Sequence, residues 1–443
     1  ATLSGWPSVL AAIQYDYDSP LVWFPTAVGV TETTTSGGDA AATDRYPMID
    51  GLTIQDATSH SVDLAALAQG YSLFFGMTDA RNAAVGQQIG MQIAFGGYVF
   101  PTDNGLPDGE STPHDRALGI MRVAFIDLDR IHVDPSTGVV VDSAAIGSGS
   151  VARGTTLTTT SLGHVVVGLR HLLMACNAAV SQYGAPDSDP SKDDLGILNQ
   201  VPIHPPATDG GTPDTFSAHV RRVLMSQARF VLDTLTSSDG SARNGATLTD
   251  GRWSATTDAT SLEAQAAALR VLVEAWFLTH DTSDGPIYRE RARSVARVLL
   301  TAFWSDPARM FRGQAPGGDD VVMTPERFGW LQQALRETYK ALWVPGDPSL
   351  DRSVLEDRIA RVNTLYLNGW DDLNGDQRVD KPAECLDARL QLGEQALTGE
   401  IGTNNQGYPI PDHPPDRESD CVSNIAYTKT ASVLAGNVHF HAP

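Results

Sequence analysis

The sequence predicts a mainly α fold: an array of antiparallel helix pairs with short β-hairpin insertions and a loop-rich C-terminal cap. Three observations predict it. From about residue 56 to 370, apolar residues recur at three- and four-residue intervals, which places them on one face of a helix. The periodic runs stop at glycine or proline, where a helix ends. The short stretches between runs read as strand, turn, strand. Short connections make sequential helices pack antiparallel.

Residues 1–55 are rich in aromatic residues, Thr and Gly, and read as an irregular segment with the surface loop "TETTTSGGDAAATD". The helical body follows over 56–370. Its clearest helix carries Leu162, Val165, Leu169, Leu172, Cys176, Ala179 and Tyr183, with Gly184 as its stop. Leu262, Ala266, Leu269, Val273 and Trp276 repeat the rhythm, as do Tyr288, Ala292, Val295, Leu299 and Ala302 before Pro307. "TPERFGWLQQALRETYKALW" opens with Thr324 as a cap and Pro325 in the first turn, where its missing N–H costs nothing. Further helices are expected near 62–75, 79–95, 114–130, 215–235 and 350–367. "RIHVDPSTGVVVD" and the stretch 243–258 are read as hairpins, because Asp134-Pro135 and Gly138 supply turn chemistry in the first.

The run "SLEAQAAALRVLVEAWFLTHD…YRERARSVARVLLTAFWSD" (261–306) resembles the helix pairs of the six-hairpin glycosidase-like α/α toroids. That resemblance implies Ala-rich inner helices, clefts at hairpin-to-helix junctions and a carbohydrate substrate. About nine or ten helices are read, fewer than a complete ring of six hairpins needs, so the array either closes or stays open.

Asp and Glu number 53 against 31 Lys and Arg, a formal net charge of −22. Such a field repels nucleic acid, whose binding needs clustered cations. No stretch reaches the ~18 apolar residues of a membrane span, so an integral membrane protein is not expected. The chain begins at Ala1 without a leader, as an exported protein does once its signal peptide is removed, and as a processed fragment also does. Cys385 and Cys421 flank a Pro- and Gly-rich segment, and a disulfide between them would stabilise it by roughly 3–4 kcal/mol in the chain-entropy model. The alternative is three reduced thiols in a cytosolic protein.

The tail, 371–443, opens with "DDLNGDQRVDKPAEC". Calcium takes six to eight oxygen ligands, and acceptors at alternate positions of a loop curl around one point. Asp372, Asn374, Asp376, the Arg378 carbonyl and Asp380 hold positions one, three, five, seven and nine, with Glu384 beyond. This resembles the D-x-N-x-D loops of EF-hand and dockerin modules, and it implies a structural calcium ion. It departs from them at Gln377, where glycine is usual, and at Ala383, where the last carboxylate is usual. His439 and His441 share one face of a strand-like terminus and could bind a metal. His164 and His171 lie ~10 Å apart along a helix, too far for one ion, and read as polar groups at a helix contact.

The chain lacks H-E-x-x-H, C-x-x-C-H, G-x-S-x-G and phosphate-loop motifs. Glycoside chemistry needs only two carboxylates, and these come from distant segments. Asp258, just before a helix, and Glu263, in its first turn, are the candidate catalytic pair, with Trp253 to stack on a sugar ring. The competing assignment gives Asp258 or Ser261 the helix cap, Glu263 the helix dipole and Trp253 the hairpin packing. Two functions therefore stand. The first is an exported, calcium-stabilised binding or assembly component of the cell envelope with a protein or glycan partner. The second is a carbohydrate-active hydrolase, lyase or epimerase. The missing catalytic signature favours the first.

Overall fold

A computed structural model describes residues 15–33, 48–78, 113–147, 150–176, 215–306, 310–315, 317, 325–363, 370–371 and 381–382. Among these the fold is mainly α with short antiparallel strand pairs, the class read from the sequence. The chain divides into two compact units. One is Ala1–Thr156 with Gly168–Leu224, the other Leu157–Val167 with Met225–Pro443.

In the first unit, β1 (Ala27–Thr33) pairs antiparallel with β2 (Met48–Asp56). Part of the stretch read as irregular is thus ordered sheet. Its alternation is masked in the sequence, because Val28 and Val30 are separated by Gly29 and both are exposed. A three-stranded sheet follows from β3 (Thr58–His60), β4 (Ser143–Ile146) and β5 (Val151–Arg153). Helix α1 (Ser61–Thr78) leaves β3 directly, and α2 (Pro113–Asp127) starts on a proline whose missing N–H is free of cost there. Leu64, Ala68 and Phe75 of α1 and Leu118, Met121 and Phe125 of α2 are buried, one apolar face from each helix.

Helix α2 widens into a π turn, Leu128–His132. The hairpin expected over 130–142 shrinks accordingly to one bridge, Val133 to Val140. Asp134 caps the intervening turn by accepting from the Ser136 and Thr137 amides at 3.0 and 2.9 Å. The true strand begins later, at Ser143, because His132 is fastened inward: its Nε2 meets Ser59 Oγ at 2.9 Å and its Nδ1 the Val141 carbonyl at 3.1 Å.

The second unit takes in the end of β6 (Thr156–Thr158) and the first half of α3 (Thr159–Cys176), as far as Val167. Helix α4 (Phe216–Phe230) also ends here, in a π turn, Val231–Leu235. β7 (Gly245–Thr249) and β8 (Arg252–Ala255) form the hairpin read at 243–258. Asp250 and Gly251 carry its two-residue turn with φ of 49° and 74°, the paired positive values that match the twist of hairpin strands. β9 (Thr260–Ser261) runs into α5 (Leu262–Thr279), and α6 (Gly285–Thr301) returns antiparallel after a short turn. β10 (Trp304–Ser305), β11 (Met310–Phe311) and β12 (Gln314–Ala315) lead on towards α7 (Pro325–Glu337). A third π turn, Thr338–Leu342, and α8 (Arg352–Asn363) follow.

One buried side chain fastens three of these elements. Gln265 Nε2 donates to the Gly240 and Val295 carbonyls at 2.8 and 2.9 Å, and its Oε1 accepts from the Ala242 amide at 3.0 Å. A polar side chain this deep is retained because every one of these groups is bonded.

The starts of α3, α5 and α7 lie together in the second unit. Asn244 ties the first two, accepting from the Thr159 amide through its carbonyl at 2.9 Å and from the Ser261 amide through its side chain at 2.8 Å. One turn inside, they touch at Gly163. A Cβ there would lie 2.5 Å from Trp330 Cη2 and 3.0 Å from Ala267 Cβ. The missing side chain is what lets the three backbones approach. Gly163→Val should therefore lower stability by about 1–3 kcal/mol, the usual cost of overpacking, in a urea titration. Unchanged unfolding would mean that the helices are free to separate.

The expected helix at 79–95, the Gly184 stop and the Thr324 cap lie outside the described residues. So do the calcium-loop residues Asp372, Asn374, Asp376, Arg378, Asp380 and Glu384, together with Cys385, Cys421, His439 and His441. Of that tail, β13 (Trp370–Asp371) pairs with β14 (Lys381–Pro382), the two ends of the loop.

Candidate functional site

The N-terminal ends of α3, α5 and α7 lie together in the second unit, and the candidate site is built there. Ser261 caps α5: its Oγ accepts from the Ala264 amide at 3.1 Å. Of the two capping residues considered from the sequence, Ser261 does the work. Asp258 is exposed in the connection before β9. Trp253 is half-buried and packs edge-on against Phe230, with centroids 5.6 Å apart, so the hairpin is pinned by the ring considered for stacking on a sugar.

Glu263 stands in the first turn of α5, and Glu326 and Arg327 in the first turn of α7. Arg327 Nε donates to Glu263 Oε1 at 2.8 Å, and the other oxygen, Oε2, is buried without a hydrogen-bond partner. The guanidinium lies flat on Gly313, where a Cβ would come 2.8 Å from Cζ. Gly313 in turn accepts from the Leu262 amide at 2.9 Å, so it joins the starts of α5 and α7. A larger residue at 313 would displace the arginine from the carboxylate.

Burial pushes the Glu326 carboxyl above its ordinary value, and the charge of Glu263 adds to that push, against the opposing pull of Arg327. A helix N-terminus alone favours the ionised form. Glu326 departs from that rule. The result is a carboxyl pushed towards its protonated form beside a carboxylate anchored by a guanidinium, the kind of unequal pair that acid–base catalysis uses. Glu263 was legible as a candidate. Glu326 was missed, since it stands 63 residues later (326 − 263) and nothing local distinguishes it from an ordinary first-turn acid.

His164, read as a polar group at a helix contact, is one: it is buried, its ring centroid is 4.9 Å from that of Trp330, and burial pulls its pKa down to about 4. Among the described residues no group of three or more His, Cys, Asp or Glu side chains is placed to hold a metal ion.

The first unit contains a second polar cluster that the sequence did not reveal. Tyr15 Oη donates to Asp127 Oδ1 at 2.6 Å, and Arg130 Nη1 donates to Tyr15 Oη at 3.0 Å. Two residues along each segment, Tyr17 Oη donates to Asp129 Oδ2, which also meets His219 Nε2 at 2.9 Å. Arg222 reaches the other ring nitrogen of His219. Both nitrogens of that histidine are occupied, which leaves it no lone pair for catalysis. The only sequence signal is the matched pair of patterns Y-x-Y and D-x-D, 112 residues apart.

No family model matches the sequence, and no curated protein does. Several solved structures are similar at low identity. A D-mannose isomerase is 13% identical, with 72% of this chain and 62% of that chain covered and a TM-score of 0.37. An unsaturated glucuronyl hydrolase with dGlcA-Glc-Rha-Glc is 16% identical, with 58% of each chain covered and a TM-score of 0.37. A sugar epimerase from a ruminal bacterium is 11% identical, with 71% and 77% covered and a TM-score of 0.34. The chain spans less than two thirds of the length of the first two proteins.

Proposed function

We propose that the protein is a carbohydrate-active enzyme that cleaves a glycosidic bond by acid–base catalysis at the starts of α5 and α7. One observation carries this reading over the binding or assembly role favoured by the bare sequence: Glu326, its carboxyl pushed above the ordinary value, stands at a helix N-terminus next to the ionic Glu263–Arg327 pair. In this assignment Glu326 donates a proton to the departing glycosidic oxygen. Glu263, oriented by Arg327, takes a proton from the water whose oxygen bonds the anomeric carbon as the glycosidic C–O bond breaks, and two such groups suffice for glycoside hydrolysis. The resemblance of 261–306 to toroid helix pairs points to the same substrate class.

Glu326→Gln tests it. Amide and acid have nearly the same shape, so folding should be retained while turnover of a cleavable glycan falls by about 100-fold or more. Because the acid must be protonated, the parent's rate should fall as pH rises through the raised Glu326 pKa, and the variant should lack that limb. Should no glycan in a broad panel be cleaved, or should the variant cleave as fast as the parent, the carboxylates are structural and the binding role stands instead.

A further inference from the structure

The carboxylate pair is the top of a longer polar seam. On α7, Glu326, Trp330, Gln333 and Glu337 follow one another at four-, three- and four-residue steps, and on α5 so do Glu263, Ala267, Arg270 and Glu274. Each set lies on one helix face. The two faces meet in register: Arg327 beside Glu326 bonds Glu263, Trp330 and Ala267 converge on Gly163, and Arg270 bonds Glu337 at 2.8 Å.

Midway down this seam the rule that buried polar groups are bonded fails repeatedly. Gln333 is 3% exposed, and both its Nε2 and its Oε1 lack a partner. Trp330 is 0% exposed with Nε1 unpaired, and His164, against it, is 3% exposed with Nε2 unpaired. Gln265, a buried glutamine on the neighbouring helix, uses all its groups, so depth alone does not explain Gln333. Orphaned buried groups destabilise a fold, and their concentration at one place marks a site where something other than stability is served.

We propose that His164, Trp330 and Gln333 recognise the hydroxyl groups of an uncharged sugar ring held beneath the Glu263–Glu326 pair. This rests on the glycan reading above and gives its substrate class. The unpaired atoms are neutral donors and acceptors, and an amide with both ends free suits a hydroxyl, which donates and accepts. The guanidinium groups of the seam already face carboxylates, Arg327 at Glu263 and Arg270 at Glu274 and Glu337, so a uronate would meet excess negative charge. All three side chains are buried, and the Trp330 ring lies over Gly163, so a sugar enters only when that ring moves aside.

Thermal melting of the full chain with D-glucose, D-mannose, D-galactose or D-glucuronate, for the parent, Gln333→Leu and Gln333→Met, tests this. At least one uncharged sugar should raise the parent's midpoint and glucuronate should not. Both variants should melt higher than the parent without sugar, because an orphaned amide is gone, and both should lose the sugar-induced shift. A merely structural glutamine would give the opposite sign, with both variants melting lower. That result, retention of the shift in both variants, or no shift of the parent by any uncharged sugar overturns the inference. The catalytic reading fails separately. Loss of sugar binding in the variants of a parent that cleaves nothing leaves the recognition site standing alone. Cleavage undiminished in both variants does the reverse.

Discussion

Arg270→Met is expected to lower stability by about 3–5 kcal/mol, the cost of leaving buried charges without their partner. Arg270 sits between α5 and α7, donating to Glu274 on its own helix and to Glu337 across the contact at 2.8 Å. Burial opposes the charge on the guanidinium, yet the two carboxylates outweigh it and hold the arginine protonated more firmly than usual. The partners are as deep as the arginine, with side-chain exposures of 3% for Glu274 and 9% for Glu337. Removing the cation leaves two like charges facing each other where water cannot screen them. The triple variant Arg270→Met, Glu274→Leu, Glu337→Met should recover most of the loss, because an apolar seam of similar volume is often as stable as a buried ion triad. Urea midpoints of the three proteins decide the matter. A single variant that unfolds with the parent would mean that the triad is hydrated, and the depth assigned to this seam would be wrong.

What could be read from the chain and what could not divide along the range of the interactions. Helix α5 was legible because its determinants are local: an apolar rhythm from Leu262 to Trp276, a serine cap and an acid in the first turn. The 245–255 hairpin was legible for the same reason, its Asp250-Gly251 turn lying between two alternating strands. The π turns at 128–132, 231–235 and 338–342 were not, since a helix widened by one residue over a single turn hardly alters an apolar period. The candidate site was half legible. Glu263 announces itself beside its cap, but its meaning depends on Glu326 and Arg327, which reach it only when α7 lies parallel to α5. Gln333 is invisible to any local pattern. In sequence it is one more polar residue of an amphipathic helix, and only the fold turns it inward against a seam with nothing to bond it. The Tyr15 and Tyr17 contacts are longer in range still.

That last cluster supports a pair of substitutions with opposite expected signs. Asp129→Ala removes the acceptor shared by Tyr17 Oη and His219 Nε2, which are left with only each other at 3.2 Å and one donor proton unmet, and should cost about 1–3 kcal/mol. Asp127→Asn, two residues away, should stabilise the protein at neutral pH. Asp127 is fully buried, with Oδ2 unpaired, and burial raises its carboxyl well above the ordinary value despite the Tyr15 hydrogen bond and the nearby Arg130, which both pull it down. In the unfolded chain the same carboxyl ionises at about pH 4. Below that pH both states are protonated and the residue makes no difference. As pH rises, the unfolded state loses its proton first and gains hydration, so stability drains away until the folded-state pKa is passed. Asparagine cannot ionise in either state, yet it keeps an oxygen to accept from Tyr15. The stability difference between Asp127→Asn and the parent should therefore vanish near pH 4 and grow in favour of the variant towards pH 7. Parent and variant measured at each pH share every other titration, His132 and His164 included, so those contributions cancel. A variant less stable than the parent at pH 7 would show that Asp127 folds as a carboxylate, paired with Arg130 through Tyr15, and the strap from Tyr15 to Tyr17 would then be held by charge instead of by neutral hydrogen bonds.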